Sequence, residues 1–332
     1  MDGREETALT AGSAPADESV LVVGESLVDI VAPRGGDAHE HVGGSPLNVA
    51  VGLGRLGRSV AFLTRFADDA RGDRIAAHLA ASDVALAPGS VVSGSDGDPD
   101  SARTSTALAE LDERAGATYT FDLRWALPAD VTPPPAGHVH TGSIATLLDP
   151  GAEAVRALVA ARRPGATVSY DPNVRATLVD DPAAARDRIM QWCALADVVK
   201  ASDEDLAWLT GGGDPVDTAV ALLAPGGPAL VVVTRGAQGA VAACGAGIVE
   251  VPAVPAEVVD TVGAGDAFMS GLIDALLRAG LLGRGARDRL AAASLDDVRT
   301  ALEWAARSSA LTVARPGADP PSTRDMGQAS PA

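Results

Sequence analysis

The chain alternates short apolar runs with stretches whose apolar residues recur at helical spacing, and this alternation restricts the fold more than any other feature. The apolar runs predict buried strands over residues 20–23, 60–65, 139–141, 167–170, 197–199 and 230–234. Between them the spacing predicts helices over 46–56, 71–81, 150–162, 182–192 and 203–223. We therefore expect a doubly wound α/β domain, with a mostly parallel sheet flanked by helices and sites at the carboxyl ends of its strands.

Two further strand-like runs interrupt this alternation. Residues 105–112 and 117–123 place Thr, Tyr and Phe at alternating positions and are joined across Arg114, Ala115 and Gly116. This pattern predicts a β-hairpin. With partner strands supplied by residues 27–42, the segments 27–42 and 100–125 would form a small β-sheet that acts as a lid.

Both ends of the chain are small, polar and proline-containing, which predicts disordered tails over residues 1–18 and 319–332 and a folded domain over 19–318. The 44 acidic residues exceed the 26 basic ones, for a net charge of −18. A field of this sign disfavours nucleic acid and anionic membranes as partners. The chain also lacks a signal-peptide pattern and a long apolar run, so we expect a cytoplasmic protein.

A glycine-containing turn at residues 263–266, Gly-Ala-Gly-Asp, carries the clearest chemical signal. It precedes a helical pattern, so the backbone amides from Gly263 to Asp266 would be free at a helix N-terminus and would favour an anion. Asp266 would lie beside that anion and could accept a proton, although an acidic residue here could also simply cap the helix. Lys200, the only lysine, is followed by Ala201, which excludes a Walker-type phosphate loop.

Several motifs together resemble the PfkB or ribokinase family of carbohydrate kinases, in particular its fructokinase-like branch. Residues 260–266 resemble the D-T-x-G-A-G-D signature of the family, and residues 43–48 resemble its G-G-x-x-x-N signature. Residues 24–29, 171–175 and 234–239 resemble the opening strand, the D-P-N-x-R segment and the T-x-G-x-x-G turn. The resemblance covers residues 20–318 and implies a ribokinase-like fold.

The resemblance implies transfer of the γ-phosphoryl group of ATP to a sugar hydroxyl. Asp266 would be the catalytic base, and the amides of Gly263, Ala264 and Gly265 would form the anion hole. The expected substrate-binding residues are Asp29, Gly43, Gly44, Asn48, Arg103 and Arg175. Arg103 and Arg175 are included as cations for an acidic substrate, and Arg175 would also face the phosphates.

The same resemblance implies residues for the nucleotide and the ions. The expected ATP-binding residues are Asn173, Lys200, Ser202, Thr234, Gly236, Gly239, Gly265 and Ser309. Asp205 stands where the family places a glutamate linked to Mg²⁺, and Asp260 and Thr261 match a site for a monovalent cation, which we expect to be K⁺. Ala306 stands where the family often has asparagine, so adenine contacts there would be mainly apolar.

The acceptor and the class of function have alternatives. Residues 43–49, Gly-Gly-Ser-Pro-Leu-Asn-Val, resemble fructokinases more than ribokinases, which favours fructose or a related free ketose. A 2-keto-3-deoxygluconate kinase, another small-sugar kinase or a nucleoside kinase is the alternative within the family, and a non-catalytic sugar-binding regulator is the alternative outside it. We also expect a homodimer formed through the lid.

Two other motifs are better explained by packing. Residues 52–57 spell the dinucleotide pattern G-x-G-x-x-G, but they lie inside a predicted helix rather than after a strand. His138 and His140 share one face of a strand without a third ligand nearby, so we expect partly buried histidines rather than a metal site.

Overall fold

A computed structural model describes residues 17–33, 37–93, 103–111, 117–128 and 131–327. The predicted hairpin turn at 114–116, most of the predicted N-terminal tail and the last five residues, 328–332, lie outside the described residues.

The strands follow the predicted alternation closely. They are β1 (Val20–Val23), β2 (Leu27–Pro33), β3 (His39–Gly43), β4 (Val60–Leu63), β5 (Phe66–Ala67), β6 (Val84–Leu86), β7 (Val91–Val92), β8 (Thr106–Leu111), β9 (Ala117–Asp122), β10 (His138–Gly142), β11 (Thr167–Asp171), β12 (Val198–Ser202), β13 (Leu230–Thr234), β14 (Ala240–Cys244) and β15 (Gly247–Val251). Within the described residues, nine of them form one sheet in the order β15-β14-β13-β12-β11-β10-β1-β4-β6. The strands from β13 to β6 are parallel, and β14 and β15 extend the sheet antiparallel.

The helices are α1 (Ser45–Arg55), α2 (Ala70–Ala80), α3 (Gly151–Arg162), α4 (Pro182–Leu195), α5 (Asp203–Thr210), α6 (Pro215–Leu222), α7 (Ala264–Arg278), α8 (Arg287–Ala291), α9 (Leu295–Val313) and α10 (Thr323–Gly327). Apolar residues of α1, α2, α7 and α9 pack on one face of the large sheet, and those of α3 to α6 pack on the other. The predicted α/β architecture with helices on both faces is therefore confirmed.

The strand order reverses between β1 and β10. The chain moves outward from β1 through β4 to β6, and then returns to place β10 on the other side of β1. In a doubly wound sheet the carboxyl ends of the strands at such a reversal form a crevice. This topology places a binding site just after Val23 and Gly142.

The predicted lid segments form a separate small sheet with strand order β3-β2-β8-β9. Two contacts hold this small sheet against the start of α2. Glu40 of β3 accepts hydrogen bonds from Arg71 at 2.7 and 3.0 Å and from Arg74 at 2.6 Å. Asp69, the N-cap of α2, accepts from the amide and the hydroxyl of Thr104 at the entry to β8. The small sheet is thus attached to the N-terminal end of α2 at two places, β3 and the entry to β8.

A buried carboxylate fixes α7 between its neighbours. Asp274, fully buried in α7, accepts hydrogen bonds from Arg58 at 2.6 Å, from Arg278 at 2.8 Å and from the indole of Trp304 in α9 at 2.9 Å. A buried charge is tolerated when it is paired and hydrogen-bonded in this way. These bonds fix the C-terminal half of α7 to α9 and to Arg58, which follows α1.

Two sequence expectations differ from the structure. The predicted helix over 203–223 is two helices, because Gly211, Gly212 and Gly213 all have positive φ and end α5. The predicted disordered tail from residue 319 is wrong for its described part. Asp319 pairs with Arg55, and Met326 of α10 is only 2% exposed.

The two motifs assigned to packing do pack. Residues 52–55 belong to α1, where a Cβ on Gly52 would overlap Ser270 of α7. His138 and His140 are buried in β10 and hydrogen-bonded to Thr167 and Ser169, and burial lowers the pKa of each to about 3. Within the described ranges, no helix combines the length and apolar character needed to cross a bilayer.

Candidate active site

A cavity of about 1230 Å³ opens between the reversal point of the large sheet and the small sheet. Thirteen of the predicted site residues line it: Asp29, Gly43, Gly44, Asn48, Asn173, Arg175, Lys200, Asp260, Thr261, Gly263, Ala264, Gly265 and Asp266. These residues come from segments as far apart as β2 and α7, so the fold brings the separate motifs to one place.

Asp266 lies in the first turn of α7 and is only 8% exposed. Its two carboxylate oxygens each accept a hydrogen bond from the first turn of α1. The hydroxyl of Ser45 donates to Oδ1 at 2.6 Å, and the amide of Asn48 donates to Oδ2 at 2.8 Å. The carboxylate is therefore oriented from two sides while still lining the cavity.

The turn before α7 depends on glycine. Gly263 is the N-cap of α7 with φ +74°, and a Cβ there would lie 2.6 Å from the Cβ of Ala318. The amide of Ala264 donates to the carbonyl of Thr261 at 3.3 Å, so the sequence-based expectation that all four amides are free is wrong for this one. The amides of Gly263, Gly265 and Asp266 have no backbone acceptor among the described residues. These three remain available to an anion.

Lys200 supplies a positive charge at the same turn. Its Nζ lies 3.2 Å from the position that a Cβ on Gly265 would occupy, and 2.8 Å from Oδ2 of Asp171. Burial raises the pKa of Asp171 to about 6, and Lys200 partly offsets this rise. Burial lowers the pKa of Lys200, but the nearby carboxylates, Asp171 foremost, raise it by more. The two groups are thus an ion pair at neutral pH.

The other oxygen of Asp171, Oδ1, is buried and has no hydrogen-bond partner in the described part of the chain. A buried carboxylate oxygen normally accepts a bond from protein or water. This oxygen lies beside the lysine that borders the cavity, and it can accept from a ligand or from water bound there.

Groups suited to a polyhydroxylated molecule lie on the small-sheet side of the cavity. Asp29 of β2 stands directly across from His41 of β3. Burial raises the pKa of Asp29, whereas His41 and Arg175 lower it. A Cβ on Gly43 would overlap the carboxylate of Asp29, so any other residue there would displace that carboxylate from its present position.

Glu25 and Ser45 are two of the cavity residues that were not selected from the sequence. Glu25, immediately after Gly24 at the end of β1, is 5% exposed and accepts a hydrogen bond from the amide of Ala145 at 3.1 Å. Burial raises the pKa of Glu25 to about 7. The signal for Glu25 was its place at the carboxyl end of a central strand. Ser45 is the second residue. It lies inside the motif of residues 43–48, in which only the glycines and the asparagine were selected as binding residues.

Other predicted residues do not line the cavity: Arg103, Ser202, Asp205, Thr234, Gly236, Gly239 and Ser309. Arg103 is exposed and lies before β8, with Nη2 3.9 Å from Asp122. Ser202 is the last residue of β12, the strand that contains Lys200. Thr234 is the last residue of β13, which pairs with β12. Gly236 and Gly239 lie in the turn that follows β13, and Ser309 lies in α9.

Asp205 has a structural role at the start of α5. It forms a capping box with Ser202, whose amide and hydroxyl donate to Oδ2 at 2.9 and 2.7 Å. Its Oδ1 accepts from the amide of Val174 at 2.8 Å. Asp205 therefore fixes the 171–175 segment against α5, with each oxygen already in use.

Asp260 is also held by backbone amides. It accepts from Val262 at 3.0 Å and from Gly317 at 2.8 Å, and these bonds lower its pKa. Within the described ranges, no cluster of three or more His, Cys, Asp or Glu side chains is arranged to hold a metal ion. A metal at this site would therefore need ligands from a bound molecule as well as from the protein.

The known proteins whose sequences are similar to this chain include carbohydrate kinases. A family profile described as pfkB family carbohydrate kinase matches residues 17–325. A fructokinase of Klebsiella pneumoniae is 37% identical over 284 residues, covering 83% of this chain and 89% of the relative.

Solved structures agree with the sequence match. A double mutant of the fructokinase of Vibrio cholerae O395, solved with fructose, ADP and potassium ion, superposes with a TM-score of 0.76 at 29% identity, covering 92% of this chain and 95% of that one. The fructokinase of Xylella fastidiosa with bound ATP gives a TM-score of 0.78 at 26% identity, covering 93% and 97%. Both neighbours share the predicted ribokinase-like architecture.

Proposed function

This chain belongs to the pfkB family of carbohydrate kinases, and from that premise we propose that it transfers the γ-phosphoryl group of ATP to a hydroxyl of fructose or a related free ketose. The observation that carries the proposal is the place of Asp266. Its carboxylate lines the cavity beside a helix N-terminus suited to phosphate, opposite side chains suited to sugar hydroxyls. A carboxylate there can take the proton from the attacking hydroxyl.

The residues of the cavity divide into two groups. Asp29, Gly44, Asn48 and Glu25 offer acceptors and donors for a small polyhydroxylated ligand. The amides of the 263–266 turn and the ammonium of Lys200 offer positive charge for the transferring phosphoryl. Charge on the phosphoryl oxygens is spread out in the transition state, so fixed donors of this kind supply most of the catalysis.

ATP would extend from this turn along the edge formed by β12 and β13. Asn173 and Arg175 line the cavity, and we assign both to the phosphates by their resemblance to the family motif. Ser202, Thr234, Gly236 and Gly239 lie at or just after the ends of β12 and β13. We assign Ser309 of α9 to the adenine end by the resemblance of its segment. These assignments are part of the proposal.

The oxygen ligands that the protein offers suit a Mg²⁺ ion whose other ligands come mainly from the ATP phosphates. The unpartnered oxygen of Asp171 is a donor on the Lys200 side of the cavity, and Mg²⁺ commonly uses one or two carboxylates plus phosphates and water. When bound, Mg²⁺ neutralises charge on the phosphates. Asp260 and Thr261 would serve a monovalent cation, for which the potassium ion in the Vibrio cholerae structure is the support.

The proposal is tested by measuring ADP release from MgATP with fructose, ribose, glucose, 2-keto-3-deoxygluconate and adenosine, with and without K⁺. We expect turnover on fructose or another free ketose, and a loss of several orders of magnitude in kcat for Asp266→Asn. Asp73→Asn, an exposed residue in the first turn of α2, is the matched control. Turnover on 2-keto-3-deoxygluconate or adenosine, and not on a free ketose, would show that the proposed acceptor is wrong.

Sugar binding without turnover on any acceptor would favour the non-catalytic alternative. Such binding would be detected as a shift in melting temperature when sugar is added. The intact assembly of Asp266, the glycine turn and Lys200 favours the enzyme.

A further inference from the structure

We propose that Ser45 is a positioning residue for the base: its hydroxyl holds the Asp266 carboxylate in the orientation in which it can take a proton from the acceptor hydroxyl. This inference rests on the proposed function, in which Asp266 is the catalytic base. Ser45 lies in the first turn of α1, 221 residues from its partner in the sequence.

The contact has the geometry of a charge-assisted hydrogen bond. The Ser45 hydroxyl lies 2.6 Å from Oδ1 of Asp266, and both residues are at most 9% exposed. Hydroxyl-to-carboxylate bonds of about 2.5 to 2.7 Å are typical when the acceptor is ionised, and they are roughly twice as strong as neutral ones. Low exposure limits competition from water, so the bond has a large effect on this carboxylate.

The Ser45 hydroxyl is not needed to begin the helix. The N-cap of α1 is Gly44, and Pro46 follows Ser45, a residue that suits a helix start because it lacks an amide hydrogen. Gly44 has φ +112°, and a Cβ there would lie 2.7 Å from the carbonyl oxygen of Glu25. The backbone is thus fixed by Gly44 and Pro46, which leaves the serine side chain for Asp266.

Close packing between α1 and α7 maintains the contact. Farther along α1, Gly52 lies so near Ser270 of α7 that a Cβ would overlap the Ser270 side chain. Two helices that touch at a glycine have little freedom to slide or rotate relative to each other. The distance between Ser45 and Asp266 is therefore set by the helix pair rather than by a flexible loop.

The bond leaves the carboxylate able to act. An ionised carboxylate has about four acceptor positions, of which Ser45 and Asn48 occupy one on each oxygen. A sugar hydroxyl can donate to a remaining position and transfer its proton there. Ser45 acts through Asp266 and does not itself need to touch the substrate.

The test compares kcat with KM for Ser45→Ala. Because the carboxylate loses one of the two bonds that orient it, we expect kcat to fall about tenfold, with KM for the sugar within about twofold of wild type. Ser45→Thr keeps the hydroxyl and should restore kcat.

The matched control is Ser294→Ala. Ser294 begins α9 and donates to Asp297 at 2.6 Å, the same distance, but this exposed pair does not line the cavity. We expect a lower melting temperature and an unchanged kcat for this variant. An unchanged kcat in Ser45→Ala, or an equal fall of kcat in Ser294→Ala, would overturn the proposal.

Failure of the proposed function has a different signature. An inactive wild-type protein would refute the kinase proposal before Ser45 is tested. If the wild type is active and Asp266→Asn keeps only a measurable residual activity, adding Ser45→Ala to Asp266→Asn should cause no further loss, because both changes act through one group. A further loss of tenfold or more would show that Ser45 acts independently of Asp266.

Discussion

The ammonium of Lys200 lies 2.8 Å from the carboxylate of Asp171, and both side chains are at least 95% buried. In a chain that otherwise uses arginine for every basic side chain, the one lysine therefore stands beside the glycine turn of the active site. A compact ammonium fits where a planar guanidinium would not. The pair keeps a positive charge in place next to the proposed phosphoryl position.

Lys200→Met tests the role of this charge. We expect kcat to fall by about 10²- to 10³-fold, because a fixed positive group next to the phosphoryl is lost. The measurement is ADP release at saturating fructose and MgATP. Lys200→Met combined with Asp171→Asn removes both buried charges and should recover melting temperature but not kcat. Recovery of activity in the double variant would remove Lys200 from catalysis.

Gly263→Ala tests the shape of the turn. The new methyl group would meet Ala318 at 2.6 Å and would also occupy a backbone conformation with φ +74°. We expect a displaced turn and a loss of about 10- to 100-fold in kcat, measured with the same assay. Gly280→Ala has the matching φ of +68° with no described atom within 4 Å, so it isolates the backbone cost. Equal kinetic losses in both variants would contradict the turn assignment.

Glu25→Gln tests the buried carboxyl at the end of β1. Burial raises the pKa of Glu25 from 4.5 to about 7, so between these values the folded state holds a proton that the unfolded state has released. Stability from this group is therefore present below pH 4.5 and is lost as the pH rises towards 7. The loss amounts to about 3 kcal/mol at pH 8.

Glutamine stays neutral, so the free energy of unfolding of Glu25→Gln relative to wild type should increase from pH 5 to pH 8. Urea denaturation at several pH values measures this difference. The opposite pH dependence of the buried His138 and His140, whose stability is lost as the pH falls below 6.5, cancels in the comparison. Glu303→Gln, exposed on α9, should follow wild type throughout. A constant difference between Glu25→Gln and wild type would refute the raised pKa.

Glu40→Gln tests the attachment of the small sheet to α2. Weakening the bonds from Arg71 and Arg74 should favour an open cavity, which raises KM for the sugar by about two- to fivefold and increases ATP hydrolysis without sugar. Both quantities come from steady-state kinetics, and added salt should narrow the difference from wild type. Glu153→Gln breaks an exposed pair with Arg156 on α3 and should change neither quantity. Unchanged KM in Glu40→Gln would show that these bonds do not control access.

The parallel strands and the turn before Asp266 were predictable because each depends on a short stretch of sequence. Apolar runs bounded by glycine gave the parallel strands, and the turn before Asp266 followed from two glycines before a helical period. The strands β14 and β15 were not predicted, since the sequence of β14, Ala-Val-Ala-Ala-Cys, is rich in alanine, which has little preference for strands. The ordered segment around Met326 was missed because its few apolar residues pack only against the rest of the folded chain.

The parts of the site that depend on distant packing were not predictable. The bond between Ser45 and Asp266 follows from how α1 meets α7, which the sequence pattern of neither helix encodes alone. Asp205 was expected at a metal because of its place in a family pattern, but the pattern could not show that both its oxygens are used by Val174 and Ser202. Hydrogen-bond partners are set by three-dimensional neighbours, so motif spacing identifies candidates without giving their contacts.

The long separation between Asn48 and Asp266 also has a consequence during protein synthesis. At about 5 to 20 residues per second, the 218 residues from Val49 to Asp266 take on the order of 10 to 40 s to make. During this interval the nascent chain carries its proposed sugar-binding residues without the carboxylate that would activate the sugar. If Asp266 is the base, as we propose, sugar phosphorylation begins only after α7 has emerged from the ribosome and packed against α1.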